Sequence, residues 1–177
     1  SHKTYQAILQ TLGKTNKLVT AELGCVSPVI VVPGDWTPRQ LRYQARQVAG
    51  MLTNNAGFNC NAAQVLVTCS RWTLRESFLN EVRAAIAKIP TRKAYYPGAS
   101  QRYQEFCAVY PQASQLQSAK AEEIPWTLIA GLNADDFNQK AFKDEAFCGI
   151  LHEVPLDLPD PEFLLGAVDF VNRRLWG

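Results

Sequence analysis

Three short segments of the 177-residue sequence place chemically reactive side chains beside glycine or asparagine. They are Glu22-Leu23-Gly24, Asn55-Ala56-Gly57-Phe58-Asn59-Cys60 and Asp144-Glu145-Ala146-Phe147. Cys60 falls in a Gly- and Asn-rich turn between a predicted helix and a predicted strand. A thiol there is exposed, and backbone amides can face a developing negative charge, which suits a nucleophile. Glu22 precedes a glycine that lets another group approach closely, which suits a general base. Spacing alone decides little: a cysteine in a Gly-rich turn is more often structural than catalytic, and a lone Glu before Leu-Gly says less still.

The elements that must position these residues alternate between helical and extended patterns. Apolar residues Tyr5, Ile8, Leu9 and Leu12 recur at helical spacing over residues 3–12, which Gly13 closes. Residues 18–23 and 28–32 read as strands. A helix then opens with Thr37 as its cap, Pro38 in its first position, Gln40 completing a capping box and Trp36 stapling onto Leu41. Its buried stripe is Leu41, Ala45, Val48 and Leu52. A β-branched strand over 65–69 follows, and Thr73 with Glu76 forms a second capping box. The helix behind that box presents Phe78, Leu79, Val82 and Ile86 and ends at Pro90. Residues 91–102 read as loop, 103–110 as a short helix, and 126–129 and 150–154 as strands. The last helix begins at Asp160-Pro161 with a stripe of Leu164, Val168, Val171 and Leu175. Strands alternating with helices imply an α/β fold of three αβα layers around a mostly parallel sheet. Reactive residues are expected at the ends of its elements, where such sheets present their chemistry.

Composition narrows the function. A chain of this length fits one domain and buries roughly 70% of the surface it exposes when unfolded. With 47% hydrophobic and 19% charged residues it is an ordinary globule. A net charge of +2 lacks the basic footprint of a nucleic-acid binder, and Arg71, Arg75 and Arg83 are separated by apolar residues. No apolar run approaches the roughly 20 residues of a membrane span. A cytoplasmic protein that binds neither nucleic acid nor membrane is expected. Five cysteines, an odd number without a CxxC pair, support neither a disulfide framework nor a zinc site. Cys69 and Cys107 read as core, and the two histidines take no role.

Taken in order, the three segments resemble the aldehyde dehydrogenase superfamily. Glu22-Leu23-Gly24-Cys25-Val26-Ser27-Pro28 is similar to the family's base motif, Glu-Leu-Gly-Gly followed by Ser-Pro. Residues 55–62, Asn55-Ala56-Gly57-Phe58-Asn59-Cys60-Asn61-Ala62, resemble its nucleophile motif, Asn-x-Gly-Gln-x-Cys with an Ala two residues on. Asp144-Glu145-Ala146-Phe147-Cys148-Gly149 resembles Glu-Glu-Ile-Phe-Gly-Pro, and the closing Val171-Asn172 to Leu175-Trp176-Gly177 looks like Ala-Asn followed by Tyr-Gly. The match runs from about residue 18 to 177, covering most of the chain.

The resemblance implies that Cys60 attacks an aldehyde carbonyl, giving a thiohemiacetal that passes hydride to NAD or NADP and leaves a thioester. Glu22 then activates the hydrolytic water, Glu145 binds the nicotinamide ribose and Phe147 packs beside that ring. It also implies that the chain is one catalytic domain, residues 1–177. The dinucleotide-binding domain and the oligomerisation segment that the family carries lie outside it. The full-length protein is then expected to be a homo-oligomer in which this domain works with its own dinucleotide-binding domain. Cys25 stands where the family has its second glycine, Phe58 where it has glutamine, and Cys148-Gly149 where it has Gly-Pro. Those departures suit an alternative, a non-catalytic module that keeps the fold for binding or assembly. A third reading, acyl transfer to a thiol such as coenzyme A, conflicts with Glu22, since hydrolysis competes with transfer. Tyr95, Tyr96, Trp72 and Trp126 are candidates for a substrate entrance, with core packing as the commoner explanation.

Overall fold

The computed structural model describes residues 2–13 and 15–177. Eleven elements follow in chain order: α1 (His2–Leu12), β1 (Pro28–Ile30), α2 (Pro38–Thr53), β2 (Val65–Cys69), α3 (Arg75–Ile86), α4 (Ala99–Val109), β3 (Ser114–Gln115), β4 (Thr127–Ile129), α5 (Lys140–Lys143), β5 (Ile150–Leu156) and α6 (Asp160–Arg174), with a 3-10 turn over Asn54–Gly57. The strands form one sheet in the order β1-β2-β5-β4-β3. Four are parallel, and β3 pairs antiparallel at the edge. This is the expected αβα arrangement around a mostly parallel sheet. β2 and β5 are buried along almost their whole length, as strands covered on both faces must be.

Local chemistry explains the best-defined helix. The Thr37 hydroxyl accepts from the Gln40 N–H at 3.3 Å, and the Gln40 side-chain oxygen accepts from the Thr37 N–H at 2.8 Å. Two otherwise orphaned amides are thereby satisfied. The α2 stripe Leu41, Ala45, Val48 and Leu52 is buried as expected, each Leu or Val contributing roughly 1.5–3 kcal/mol. α2 and α3 pack on each other, while α6 packs against β1 and β2. Trp72 and Trp126 belong to the core rather than to an entrance, their indole N–H groups donating to Gly34 and Ile89 carbonyls. His152 on β5 is also core, and burial pushes its pKa down to about 4, so the ring is neutral.

Several expectations are corrected. Residues 18–23 form no strand: among the described residues β1 pairs with β2 alone, and none pairs with this segment. The Thr73–Glu76 box does not form: α3 starts at Arg75, Leu74 occupies the cap position, and the Glu76 carboxylate accepts instead from the neighbouring Arg75 guanidinium at 2.6 Å. α4 begins four residues early, at Ala99, after Gly98 turns the chain with a φ of 76°. The buried stripe of α6 is Phe163, Ala167 and Phe170, one residue out of phase with the expected one, so Leu164 and Val168 face solvent. On α1, Ile8 and Leu9 are likewise exposed. No described helix is long and apolar enough to cross a membrane.

Candidate active site

Each of the three reactive segments immediately precedes a strand: residues 22–27 lead into β1, 54–64 into β2 and 144–149 into β5. Because these strands are adjacent and parallel, their amino ends lie together, with Pro28 opposite Val65 and Val65 opposite His152. The topology therefore gathers three remote segments at one edge of the sheet. That edge is the amino-terminal one, opposite to the carboxyl ends where open α/β sheets usually bind ligands.

The Cys60 turn is backbone-specified. Asn55, Ala56 and Gly57 are consecutive left-handed residues with φ of 51°, 58° and 81°. Asn and Gly accept this readily, but Ala56 costs on the order of 1 kcal/mol. A Cβ on Gly57 would lie 3.0 Å from the Cys148 carbonyl carbon, so the bare glycine is what brings the Cys60 segment against the Glu145 segment. Cys60 is exposed at the tip of the turn. Its carbonyl accepts from the Ser27 hydroxyl at 2.9 Å and from the Cys25 thiol at 3.7 Å, joining it to the Glu22 segment. Its N–H has no acceptor among the described residues.

Glu145 is half-buried against Gly24. A Cβ on that glycine would sit 2.0 Å from a Glu145 carboxylate oxygen, so this position admits only glycine while the carboxylate stays in place. Burial raises the Glu145 pKa, opposed by the Gln64 amide and the Arg102 charge. Phe147 has a φ of 45° and packs its ring on Tyr96 at 4.8 Å and Phe58 at 6.0 Å. Phe58 also meets Tyr95 at 5.0 Å and Tyr96 at 5.8 Å. Of the four aromatics considered for an entrance, Tyr95 and Tyr96 thus stand exposed beside the site. Glu22 is exposed in the same cluster of segments, and its carboxylate is engaged with no described residue.

The remaining cysteines differ in kind. Cys148 is buried, and burial pushes its thiol up to about 12. Cys69 is buried with its thiol donating to the Leu158 carbonyl, and Cys25 and Cys107 are partly covered. Iodoacetamide at neutral pH is therefore expected to alkylate Cys60 first, with Cys69 and Cys148 protected at least a hundredfold by closure of the core (~100-fold per 2.7 kcal/mol of opening). Peptide mapping over time checks the order, and prior labelling of Cys69 would refute the placement of the Cys60 turn.

Sequence reasoning missed two residues that hold the site. Gln64, the one polar residue in the run Ala62-Ala63-Gln64-Val65-Leu66-Val67, is buried between all three segments. Arg102 on α4 donates to the Ala146 carbonyl at 3.3 Å and lies over the Tyr96 ring at 5.7 Å. The only local sign of Gln64 was its polarity inside an apolar run; Arg102 left none. No group of His, Cys, Asp and Glu among the described residues could hold a metal ion.

No protein-family model and no curated protein matches the sequence. Solved structures do. A γ-glutamyl-γ-aminobutyraldehyde dehydrogenase from Burkholderia cenocepacia superposes with a TM-score of 0.76 at 21% identity, over 99% of this chain and 38% of that one. An aldehyde dehydrogenase from Bacillus cereus in complex with NAD+ gives a TM-score of 0.77 at 16% identity, over 99% and 38%. An indole-3-acetaldehyde dehydrogenase from P. syringae in complex with NAD+ and IAA gives 0.76 at 17%, over 98% and 36%. The chain spans little more than a third of each of these structures, and along that third it has the aldehyde dehydrogenase fold.

Proposed function

We propose that this chain is the cysteine-bearing catalytic domain of an NAD(P)-dependent aldehyde dehydrogenase, acting with a dinucleotide-binding domain of the same polypeptide. The observation that carries the reading is the convergence of the Cys60, Glu22 and Glu145 segments at the amino ends of three adjacent strands. In this reading the Cys60 thiolate adds to the aldehyde carbon, and the free Cys60 N–H stabilises the oxygen that becomes negative. A nicotinamide cofactor held by Glu145 and Phe147 would supply the hydride acceptor that the thiohemiacetal carbon needs to become a thioester. The resulting thioester is attacked by water, whose proton passes to Glu22, and the carboxylic acid departs as the thiolate re-forms.

The residues present fit one end of such a cofactor. Glu145 offers a carboxylate acceptor for ribose hydroxyls, and Phe147 an aromatic face. Substrate approach would pass Tyr95 and Tyr96. A second reading, a non-catalytic module that retains the fold, draws support from Phe58, whose burial against Tyr95, Tyr96 and Phe147 builds an aromatic cluster where the family motif has a glutamine.

Mass spectrometry separates the two. The longer polypeptide supplied with an aldehyde and NAD or NADP should carry an acyl group on the Cys60 peptide when quenched in acid. The 177-residue chain alone should carry none, since Glu145 and Phe147 grip only the nicotinamide end. Absence of the acyl peptide from the longer polypeptide across short, long and aromatic aldehydes would favour the non-catalytic module.

A further inference from the structure

We propose that Gln64 is a positioning residue whose side-chain amide clamps the segment carrying Glu22 and the segment carrying Glu145 onto the strand that follows Cys60, and orients the Glu145 carboxylate. Its Nε2 donates to the Cys25 carbonyl at 2.9 Å and, at a longer 3.4 Å, to the Glu145 carboxylate. Its Oε1 accepts from the Ala146 N–H at 3.2 Å. The amide cannot be turned over, because its NH2 group would then face the Ala146 N–H, donor against donor. The backbone of the same residue closes the sheet edge: its N–H donates to the Ser27 carbonyl at 3.0 Å, and its carbonyl accepts from the His152 N–H at 2.9 Å.

One buried side chain thus contacts the residue after Gly24, the Glu145 carboxylate and the backbone between Glu145 and Phe147, while its own backbone sits four residues beyond Cys60. No other described residue bridges all three segments through a side-chain amide. Three elements face the carboxylate: Gly24 against one oxygen, Gln64 donating to the other, and Arg102 from α4 as the neighbouring charge. Gly24 offers no donor side chain, and the Arg102 guanidinium donates to the carbonyls of Ala146 and Pro97 rather than to Glu145. Gln64 is therefore the side chain that fixes which way the carboxylate points. A deletion of the amide leaves burial of Glu145 uncompensated by a donor, so its ionised form becomes less favoured.

The clamp stands on geometry, but its consequence for cofactor binding rests on the proposed function. Two measurements on the 177-residue chain and one on the longer polypeptide test it. Carbon-detected NMR of Glu145 should give a higher carboxyl pKa in Gln64→Leu than in the unaltered chain, as expected when a half-buried carboxylate loses a hydrogen-bond donor. In the unaltered chain, the Gln64 side-chain amide resonances should shift with pH at the Glu145 midpoint, a readout that survives even if the Leu variant does not fold. An unmoved Glu145 pKa in a folded Leu variant, or amide resonances blind to the Glu145 titration, overturns the proposal. In the longer polypeptide, Gln64→Leu should raise KM for NAD or NADP about tenfold and leave kcat within about threefold. A raised Glu145 pKa with unchanged cofactor KM keeps the clamp and removes Glu145 from the cofactor site.

Discussion

In a polypeptide that joins this chain to the proposed dinucleotide-binding domain, Glu22→Gln should release one equivalent of reduced cofactor per site in a burst and then turn over about 10²–10⁴-fold more slowly than the parent. The amide keeps the size of the carboxylate but cannot take the proton of the attacking water, so acylation proceeds and deacylation stalls. Glu22 is suited to the test because it is exposed and engaged with no described residue; its loss removes no structural contact. Cys60→Ala behaves differently. Without the thiolate no thiohemiacetal forms, and neither burst nor steady state appears at any aldehyde concentration. Stopped-flow absorbance of the reduced nicotinamide distinguishes the two variants in one experiment. Parent-rate turnover by Glu22→Gln would assign hydrolysis to another base. A normal burst from Cys60→Ala would remove the nucleophile itself.

What the sequence made legible is what residues a few positions apart decide between themselves. Thr37 and Gln40 cap α2 because each satisfies the other's amide across three residues, and the α2 stripe follows from one unbroken period. Period failed on α6, where Phe163, Leu164, Leu165, Ala167, Val168, Phe170 and Val171 are apolar nearly all round the helix; the phase is set by which of them meet β1 and β2. Residues 18–23 have strand-like composition but no neighbour among the described residues to pair with. At the site, the turn around Cys60 could be read from its glycine and asparagines. Its meeting with Glu145 could not be read from spacing, because it depends on β5 lying between β2 and β4 in the sheet. Resemblance to a family supplied that juxtaposition in advance. It offered nothing for Gln64 or Arg102, whose partners lie 82 and 44 residues away along the chain.

The same sheet register that brings the site together predicts where the fold is most vulnerable. Glu153 on β5 is completely buried, and its carboxylate accepts from Arg75 Nε at 3.0 Å, from Arg75 Nη2 at 2.8 and 2.9 Å, from the Gly131 N–H at 2.8 Å and from the Thr68 hydroxyl. Thr68 lies on β2 and Arg75 at the start of α3, so the ion pair fastens β5 to α3 while the Thr68 hydroxyl ties the same carboxylate to β2, the strand that follows the Cys60 turn. Arg75→Met keeps the length of the side chain but strands the carboxylate with two neutral donors. Breaking a buried pair in this way costs about 3–5 kcal/mol. For a domain of this size that lowers Tm by roughly 10 °C, at about 2–4 °C per kcal/mol. Replacing both partners, Arg75→Met with Glu153→Leu, should recover most of the loss, because an apolar pair asks for no compensation. Thermal melts of the single and double variants measure the difference. A single variant within about 1 kcal/mol of the parent would mean that Thr68 and Gly131 suffice for the carboxylate, and that the register of β5 against β2 is held by the apolar ladder alone.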